Sequence, residues 1–470
     1  FFKNFTIMDI FETFSKERLY QILVSNIDAL NSNKMSENDK YNFKEIIDFL
    51  MEDDDYKYKI EILKDKLNYK KETENIKDYT SFLYESGNVS ISKLENFVRC
   101  PFSYFINYGL RAKEREVYDF SPADYGTYCH KIFDDFFKGI YENNIDWNTI
   151  DREFIQREVE KLTKKMSEKS NFILESSPKY KYFSTITHKN IVESIEIMAE
   201  QVRRGNFIPT GFETEFGDES IKPISYTLKN GKDIKLVGKI DRIDVFKGEN
   251  SDFLRIIDYK SSKRDIDLNQ VYAGLQLQLF VYMNAILSSN KDRYKPAGLF
   301  YSDFTTNFVG FETYSKMLDM NDDSFYSEKL KKNKLTGFVI KDMELLKNLD
   351  KTLEENRLTS EILPIKLKSK GQEIGAGTLG LTTDEFEIVN EFVLNKTKDI
   401  CEEIYDGNID IKPFRYKDKK PCDYCKYKSI CRFDIKHNKY NNIKNLVTKD
   451  KPNEVFEKME LKNKEKRGEK

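Results

Sequence analysis

Two acids and a lysine sit where apolar strands end. The stretch FLRIIDYKSS (residues 253–262) sets Phe253, Leu254, Ile256 and Ile257 before Asp258, and Lys260 follows two residues later. Residues i and i+2 of a strand face the same side, so Asp258 and Lys260 share a face. The run IKLVGKIDRIDVF (234–246) reads as a partner strand, and the KGENSD between them has the Gly, Asn and Asp of a hairpin turn. Across that hairpin, Asp241 faces the same space as Asp258. Two converging carboxylates suit Mg²⁺, a hard ion that prefers oxygen ligands. A lysine beside them can orient an attacking water or stabilise charge on a phosphate. The competing reading is a solvated strand end, with Asp241 and Asp244 paired to Arg242 and Lys239 at the surface.

The neighbours favour a site. Glu213 lies in a strand-like run, FETEF (212–216). Gln278 and Tyr282 are four apart on a helix expected over about 269–288, hence on one face. His130 follows Gly126 by four on a helix expected over 124–140, whose Ile132, Phe133, Phe136 and Phe137 are expected to be buried. It is a candidate metal ligand.

These residues must be positioned by a large domain. The chain has 470 residues, about three times a usual domain, which predicts one large domain with a smaller one attached. Residues 1–85 read as helices: Ile10, Phe11, Phe14, Ile22, Leu23, Ile27 and Leu30 keep a helical spacing, and Phe43, Ile46, Ile47 and Leu50 repeat it. At Ser92, S-x-x-E spacing to Glu95 predicts a capping box, and Pro101 ends that helix just after Cys100. Strand and loop are expected over 296–345, a long helix over 383–406, and a charged, frayed end over the last twenty residues. The net charge of −2 restricts any nucleic-acid surface to a local patch. No apolar run approaches the roughly 18 residues of a membrane span, and no signal peptide is visible, so the expected location is the cytoplasm. The chain opens on Phe1, which predicts a piece of a longer protein.

Three of the six cysteines crowd into PCDYCKYKSIC, giving C-x₂-C-x₅-C with Cys422, Cys425 and Cys431. Such spacing points to a soft metal site, Zn²⁺ or iron–sulfur. His437 would complete a Cys₃His zinc site, whereas Cys100 would complete a four-cysteine set. Cys129 and Cys401 read as core residues. From Ile411 to Tyr440 there are ten Lys and Arg against three Asp, interleaved with Tyr416, Tyr424, Tyr427 and Phe433. That mixture suits a single nucleic-acid strand, though a solvated face has the same composition.

GKIDRIDVF, RIIDYKSS, LQLQLFVY and the upstream YGTYCH together resemble the RecB-family branch of the PD-(D/E)XK nucleases. The resemblance implies an α/β fold, a restriction-endonuclease-like mixed sheet flanked by helices. It implies a Mg²⁺ held by His130, Asp241, Asp258 and the Tyr259 carbonyl, with Lys260 as catalytic lysine. Asp241, Asp258, Lys260, Gln278 and Tyr282 would form the catalytic set, Gln278 and Tyr282 holding site and strand. Glu213 has Glu215 as a rival for the family's acidic position, and Gln278 has Gln276. ISKLENFVRCPFSYFINYGL resembles the entry segment of iron–sulfur members, in which one cysteine before the nuclease core and three after it hold a [4Fe–4S] cluster that staples the domain ends. Cys100, Cys422, Cys425 and Cys431 match that pattern.

PAGLFYSDF, KLTGFVIKD, ILPIKLKSKGQ and YDGNIDIKPF further resemble the nuclease subunits of the bacterial AddAB helicase–nucleases, over roughly residues 90–440. The implied organisation is 1–88 as the helical tail of a helicase-like region, 89–440 as the iron–sulfur nuclease domain, and 441–470 as a flexible tail. The implied partners are DNA, as single strand and duplex ends, and the AddA motor subunit. The implied activity is resection of double-strand breaks by hydrolysis of the 5′-terminated strand. Gly231-Lys232 and Gly238-Lys239 are followed by Asp and Ile where an ATP-binding loop needs Ser or Thr, so no ATPase site is expected. The alternatives are a free-standing iron–sulfur exonuclease, a non-catalytic module that binds DNA ends, and a zinc-stapled scaffold.

Overall fold

A computed structural model describes residues 10–469 apart from 12, 32–36, 69–74, 114–119, 170–175, 218–220, 291–292, 305–321, 354–356, 369–372, 436 and 448–452. The chain divides into two compact units, Phe1–Thr73 with Lys436–Asn438, and Glu74–Ile435 with Lys439–Lys470.

The first unit contains the helices Lys16–Asn31, Glu37–Met51 and Asp54–Asn68. Their buried Leu19, Ile22, Leu23, Phe43, Ile46, Leu50, Ile60 and Leu63 form one small core. The helical spacing read from the sequence is therefore the spacing that packs; the side chains of Ile27 and Leu30 lie outside the described residues.

The second unit is built on an eight-stranded mixed sheet. Its strands are β1 (Asn88–Ser90), β2 (Ile208–Phe216), β3 (Ile224–Thr227), β4 (Asp233–Lys247), β5 (Asp252–Lys260), β6 (Tyr294–Asp303), β7 (Thr336–Ile340) and β8 (Gly380–Leu381). The main path runs β1-β4-β5-β6-β7-β8, and β2 and β3 also pair with β4. The predicted hairpin forms: β4 and β5 are antiparallel, with Lys247 opposite Asp252 and Arg242 opposite Ile257. β5 then pairs in parallel with β6. A strand covered on both faces is apolar along its length, and Leu254, Ile256 and Ile257 are fully buried.

The Pro122–Glu142 helix opens with a Ser121–Asp124 capping box and buries Ile132, Phe133, Phe136 and Phe137. Thr383–Tyr405 is one long helix, begun by a Thr382–Glu385 capping box. Three expectations are corrected. The helix expected over 269–288 is two, Leu268–Ala273 and Gln278–Ser289, because Gly274 takes a left-handed φ of 92° that ends the first. The capping box expected at Ser92 is absent: Ser90 occupies the N-cap of the Ile91–Arg99 helix, and its side chain makes no capping bond. The tail expected to fray contains a helix, Glu454–Arg467, that buries Val455, Met459 and Asn463. Asn463 donates to the Ile388 carbonyl at 3.0 Å, and Arg467 pairs with Glu391 at 2.5 Å.

Arg242 and Asp244 do not form a surface pair either. Both are fully buried, joined by bonds of 2.6 and 2.7 Å, and Arg255 of β5 adds a third at 2.9 Å. Arg242 also lies over the Phe137 ring and Arg255 over Phe207. One buried carboxylate thus serves two buried guanidinium groups. Removing it would leave Arg242 without its carboxylate partner and Arg255 with only the weaker attraction of the buried Asp350, so Asp244→Ala is expected to destabilise the unit by about 3–5 kcal/mol, as measured by urea unfolding.

Candidate active site

The β4–β5 ladder delivers the acids. Because Arg242 faces Ile257, Asp241 and Asp258 come next to each other at its end. The Tyr259 amide donates to Asp241 Oδ2 at 2.8 Å, which locks that register. Asp258 is 1% exposed. Its Oδ1 accepts from Gln278 Nε2 at 2.9 Å, and the same amide reaches the Tyr282 hydroxyl at 2.9 Å. Its Oδ2 forms an ion pair with Lys260 but receives no well-directed hydrogen bond. Lys260 also lies 5.8 Å from the centre of the Tyr301 ring.

His130 approaches from the Pro122–Glu142 helix. Its Nδ1 is 3.4 Å from Asp241 Oδ2 and 3.9 Å from Glu213 Oε1. The ring stands edge-on to Tyr259 and Phe304, which fix its plane. Glu213 sits between Phe212 and Thr214, which pair with Arg242 and Ile240, and its own backbone is left-handed, φ 45°. That conformation is uncommon for a non-glycine residue and turns its carboxylate toward His130 and Lys239. Among the described residues, His130, Glu213 and Asp241 form the one group whose ligand atoms all lie within 4.8 Å of one another. Tyr259, Lys260, Glu213, His130 and Asp241 line a common cavity of about 500 Å³.

The electrostatics follow from crowding acids out of water. Burial, then repulsion by Asp241, pushes the Asp258 carboxyl up to about 7, with Lys260 opposing. Burial alone would lower His130, but its hydrogen bonds to Asp241 and Glu213 win and raise it to about 10. Glu213 is held low, first by His130 and against its own burial. The donor set fits a hard divalent cation: the Glu213 and Asp241 carboxylates and the His130 imidazole lie together, and Asp258, outside that group, adds a buried oxygen without a directed donor.

At each open choice the two rival residues are placed differently. Gln278 reaches Asp258, whereas Gln276 turns away, accepting from the Asp267 amide and donating to the Asp265 carbonyl. Glu213 faces His130, whereas Glu215 is exposed. Sequence reasoning did not find Lys239, which pairs with Glu213, or Glu95, which is buried and accepts from the Leu277 and Gln278 amides. The local S-x-x-E pattern pointed Glu95 at the wrong partner.

Cys100, Cys422, Cys425 and Cys431 line a second cavity of about 1300 Å³. None is in a disulfide. The Tyr427 amide donates to Cys425 Sγ at 3.4 Å, the kind of bond that supports a thiolate ligand. Burial pushes the Cys100 thiol up to about 11, and Cys422 is raised by burial and then by Cys425 and Cys431. His437 falls among the residues of the other compact unit. Cys129 and Cys401 are fully buried.

Residues 88–432 match the PD-(D/E)XK nuclease superfamily. The chain belongs to that superfamily. Its members are metal-dependent, in keeping with the His130–Glu213–Asp241 group. This PD-(D/E)XK chain is also similar to proteins named as the B-type subunits of ATP-dependent helicase/deoxyribonucleases. The one from Clostridioides difficile is 38% identical over 369 residues, 77% of this chain and 31% of that protein. The one from Caldanaerobacter subterraneus subsp. tengcongensis is 37% identical over 372 residues, 78% of this chain and 31% of that protein. The one from Clostridium botulinum (strain Loch Maree) is 35% identical over 377 residues, 78% of this chain and 32% of that protein. The PD-(D/E)XK chain thus spans about a third of the relatives it matches. Among the described residues no helix is long and apolar enough to cross a membrane.

A metal held at His130 would compete with a proton. Its raised pKa adds stability that is complete below its unfolded value of about 6.5 and is lost as pH rises through about 10. At pH 7 it carries a proton that a metal must displace. Mn²⁺ binding at pH 7 is therefore expected to release at least about one proton, with a further fraction from Asp258, and His130→Gln should lower the count by about one. Calorimetry in buffers of different ionisation enthalpy measures this; equal proton release in both proteins would contradict it.

Proposed function

We propose that this chain is the nuclease part of a helicase–nuclease, a Mg²⁺-dependent deoxyribonuclease that hydrolyses the 5′-terminated strand unwound at double-strand breaks. The observation that carries the reading is the convergence of Asp241, Asp258, Lys260, His130 and Gln278 at one sheet end. The names of its relatives support the assembly, with DNA as substrate and an AddA-type motor subunit as partner. On this reading 1–88 is the helical end of a helicase-like region and 89–440 the nuclease domain, in a cytoplasmic protein.

His130, Asp241, Asp258 and the Tyr259 carbonyl would hold the metal. A divalent ion there supplies an acidified water and a polarised phosphate. Asp258 must be ionised to serve, and Lys260 beside it favours that form. Lys260 then has its ammonium available at the mouth of the cavity to neutralise charge on a phosphate oxygen. Gln278 and Tyr282 keep the Asp258 carboxylate from rotating. The four cysteines fit a [4Fe–4S] cluster by donor chemistry, and such a cluster would tie the entry of the domain to its end. Lys419, Lys420, Lys426 and Arg432 line the cavity of the four cysteines with Tyr424 and Tyr427, and Tyr424 is 94% exposed. Phosphate contacts interleaved with stacking faces suit a single strand passing the cysteine set.

End-labelled single-stranded DNA is the test substrate, with anaerobically purified protein in Mg²⁺ or EDTA. Asp258→Ala and Lys260→Ala are each expected to cut at least about 100-fold more slowly than wild type while still binding DNA. Mg²⁺-dependent cutting that persists in Asp258→Ala would overturn the site. A cluster-bearing, folded wild type that binds DNA ends without cutting would favour a binding module.

Metal analysis decides the cysteine set. About four irons per chain and a broad visible absorption band are expected. One zinc and no colour would support the zinc-stapled scaffold.

A further inference from the structure

The Gln278–Ser289 helix lacks a cap of its own. Leu277 occupies its N-cap and offers no side-chain acceptor. The first amides of a helix have no partner within it and need one from elsewhere. Glu95 provides it across 182 residues of sequence: Oε1 accepts from Leu277 N at 2.8 Å and from Gln278 N at 3.2 Å. Glu95 is 4% exposed, and its other oxygen is 4.0 Å from the Arg264 guanidinium. Its own helix, Ile91–Arg99, has Cys100 as C-cap. One carboxylate therefore joins the helix that ends at a cysteine to the residue whose side chain holds Asp258.

A second chain of bonds reaches the same turn from the segment that precedes the other cysteines. Tyr416, six residues before Cys422, donates to Asp267 Oδ2 at 2.8 Å. The Asp267 amide donates to Gln276 Oε1 at 2.8 Å. Residues 276–278 are thus held both by the helix that precedes Cys100 and by the segment that precedes Cys422.

We propose that Glu95 is a positioning residue for phosphodiester cleavage: it fixes where Gln278 meets Asp258 and makes that placement depend on the helix anchored at Cys100. This rests on the nuclease reading above. A carboxylate that only stabilises the fold would change the folded fraction, not the chemistry per folded molecule.

The test is a double-mutant cycle with Glu95→Ala, Glu95→Gln, Gln278→Ala and the Glu95→Ala/Gln278→Ala double variant, each corrected for folded fraction by its urea transition. Glu95→Ala should lower kcat about tenfold with KM for DNA unchanged, as expected for loss of a buried cap. Glutamine still offers an acceptor, so Glu95→Gln should stay within about twofold of wild type. The double variant should be no slower than Gln278→Ala alone. Losses that multiply, or an unchanged kcat in Glu95→Ala, would overturn the proposal.

Should wild type not cut at all, the nuclease reading fails, and Mn²⁺ titration decides the relay separately. Glu95→Ala and Gln278→Ala should then weaken Mn²⁺ binding alike and non-multiplicatively; equal affinity in all four variants would overturn it. Hydrogen exchange tests the cysteine end. Cys100→Ser should speed exchange at the Leu277 and Gln278 amides, and unchanged exchange there would overturn the dependence on Cys100.

Discussion

Two carboxylates side by side in an apolar sheet end repel each other, and the rest of the second unit is arranged around that repulsion. Asp241 and Asp258 are brought together by a ladder whose other members are largely apolar. In such surroundings the charged form of a carboxylate is disfavoured twice, by lost hydration and by its neighbour. Asp258 responds with a pKa pushed up to about 7. The surrounding elements each bring a compensating group: Lys260 from the strand end, Gln278 from the helix that follows, His130 from an earlier helix, and the Tyr259 amide from the backbone. A divalent cation would relieve the same repulsion more completely, which is why the arrangement suits one.

The hairpin that carries the acids is anchored by its opposite face. Strand alternation puts Arg242 and Asp244 on one side of β4 and Asp241 on the other. The buried Arg242–Asp244–Arg255 network ties β4 to β5 a step away from the site. Such a network contributes little net stability against an apolar alternative, but its fixed geometry resists slippage, and a one-residue slip would separate Asp241 from Asp258. The left-handed backbone at Glu213 is a second local cost borne where the third carboxylate must turn toward His130.

Much of this was legible in the sequence because it is periodic. The i, i+2 spacing of Asp258 and Lys260, the i, i+4 spacing of Gln278 and Tyr282, and the turn residues between the strands each translate directly into geometry. The mixed sheet followed from the family resemblance. What was not legible depends on distant partners. Glu95 has the spacing of a local cap, but its carboxylate serves amides 182 residues away. Gly274 breaks a run that reads as one helix, and the break decides that Gln278 and not Gln276 meets Asp258. The Glu454–Arg467 helix fully buries only Val455, Met459 and Asn463, four residues apart, so a charged majority conceals a packed face.

The central claim is that the sheet end is a metal site built from His130, Asp241 and Asp258. Anomalous diffraction from crystals soaked in Mn²⁺ locates the ion directly. A single strong peak is expected within coordinating distance of those three side chains, with Gln278 still bonded to Asp258. A peak held by Glu213 without Asp258, or no peak at the sheet end in crystals that bind Mn²⁺ elsewhere, would contradict it.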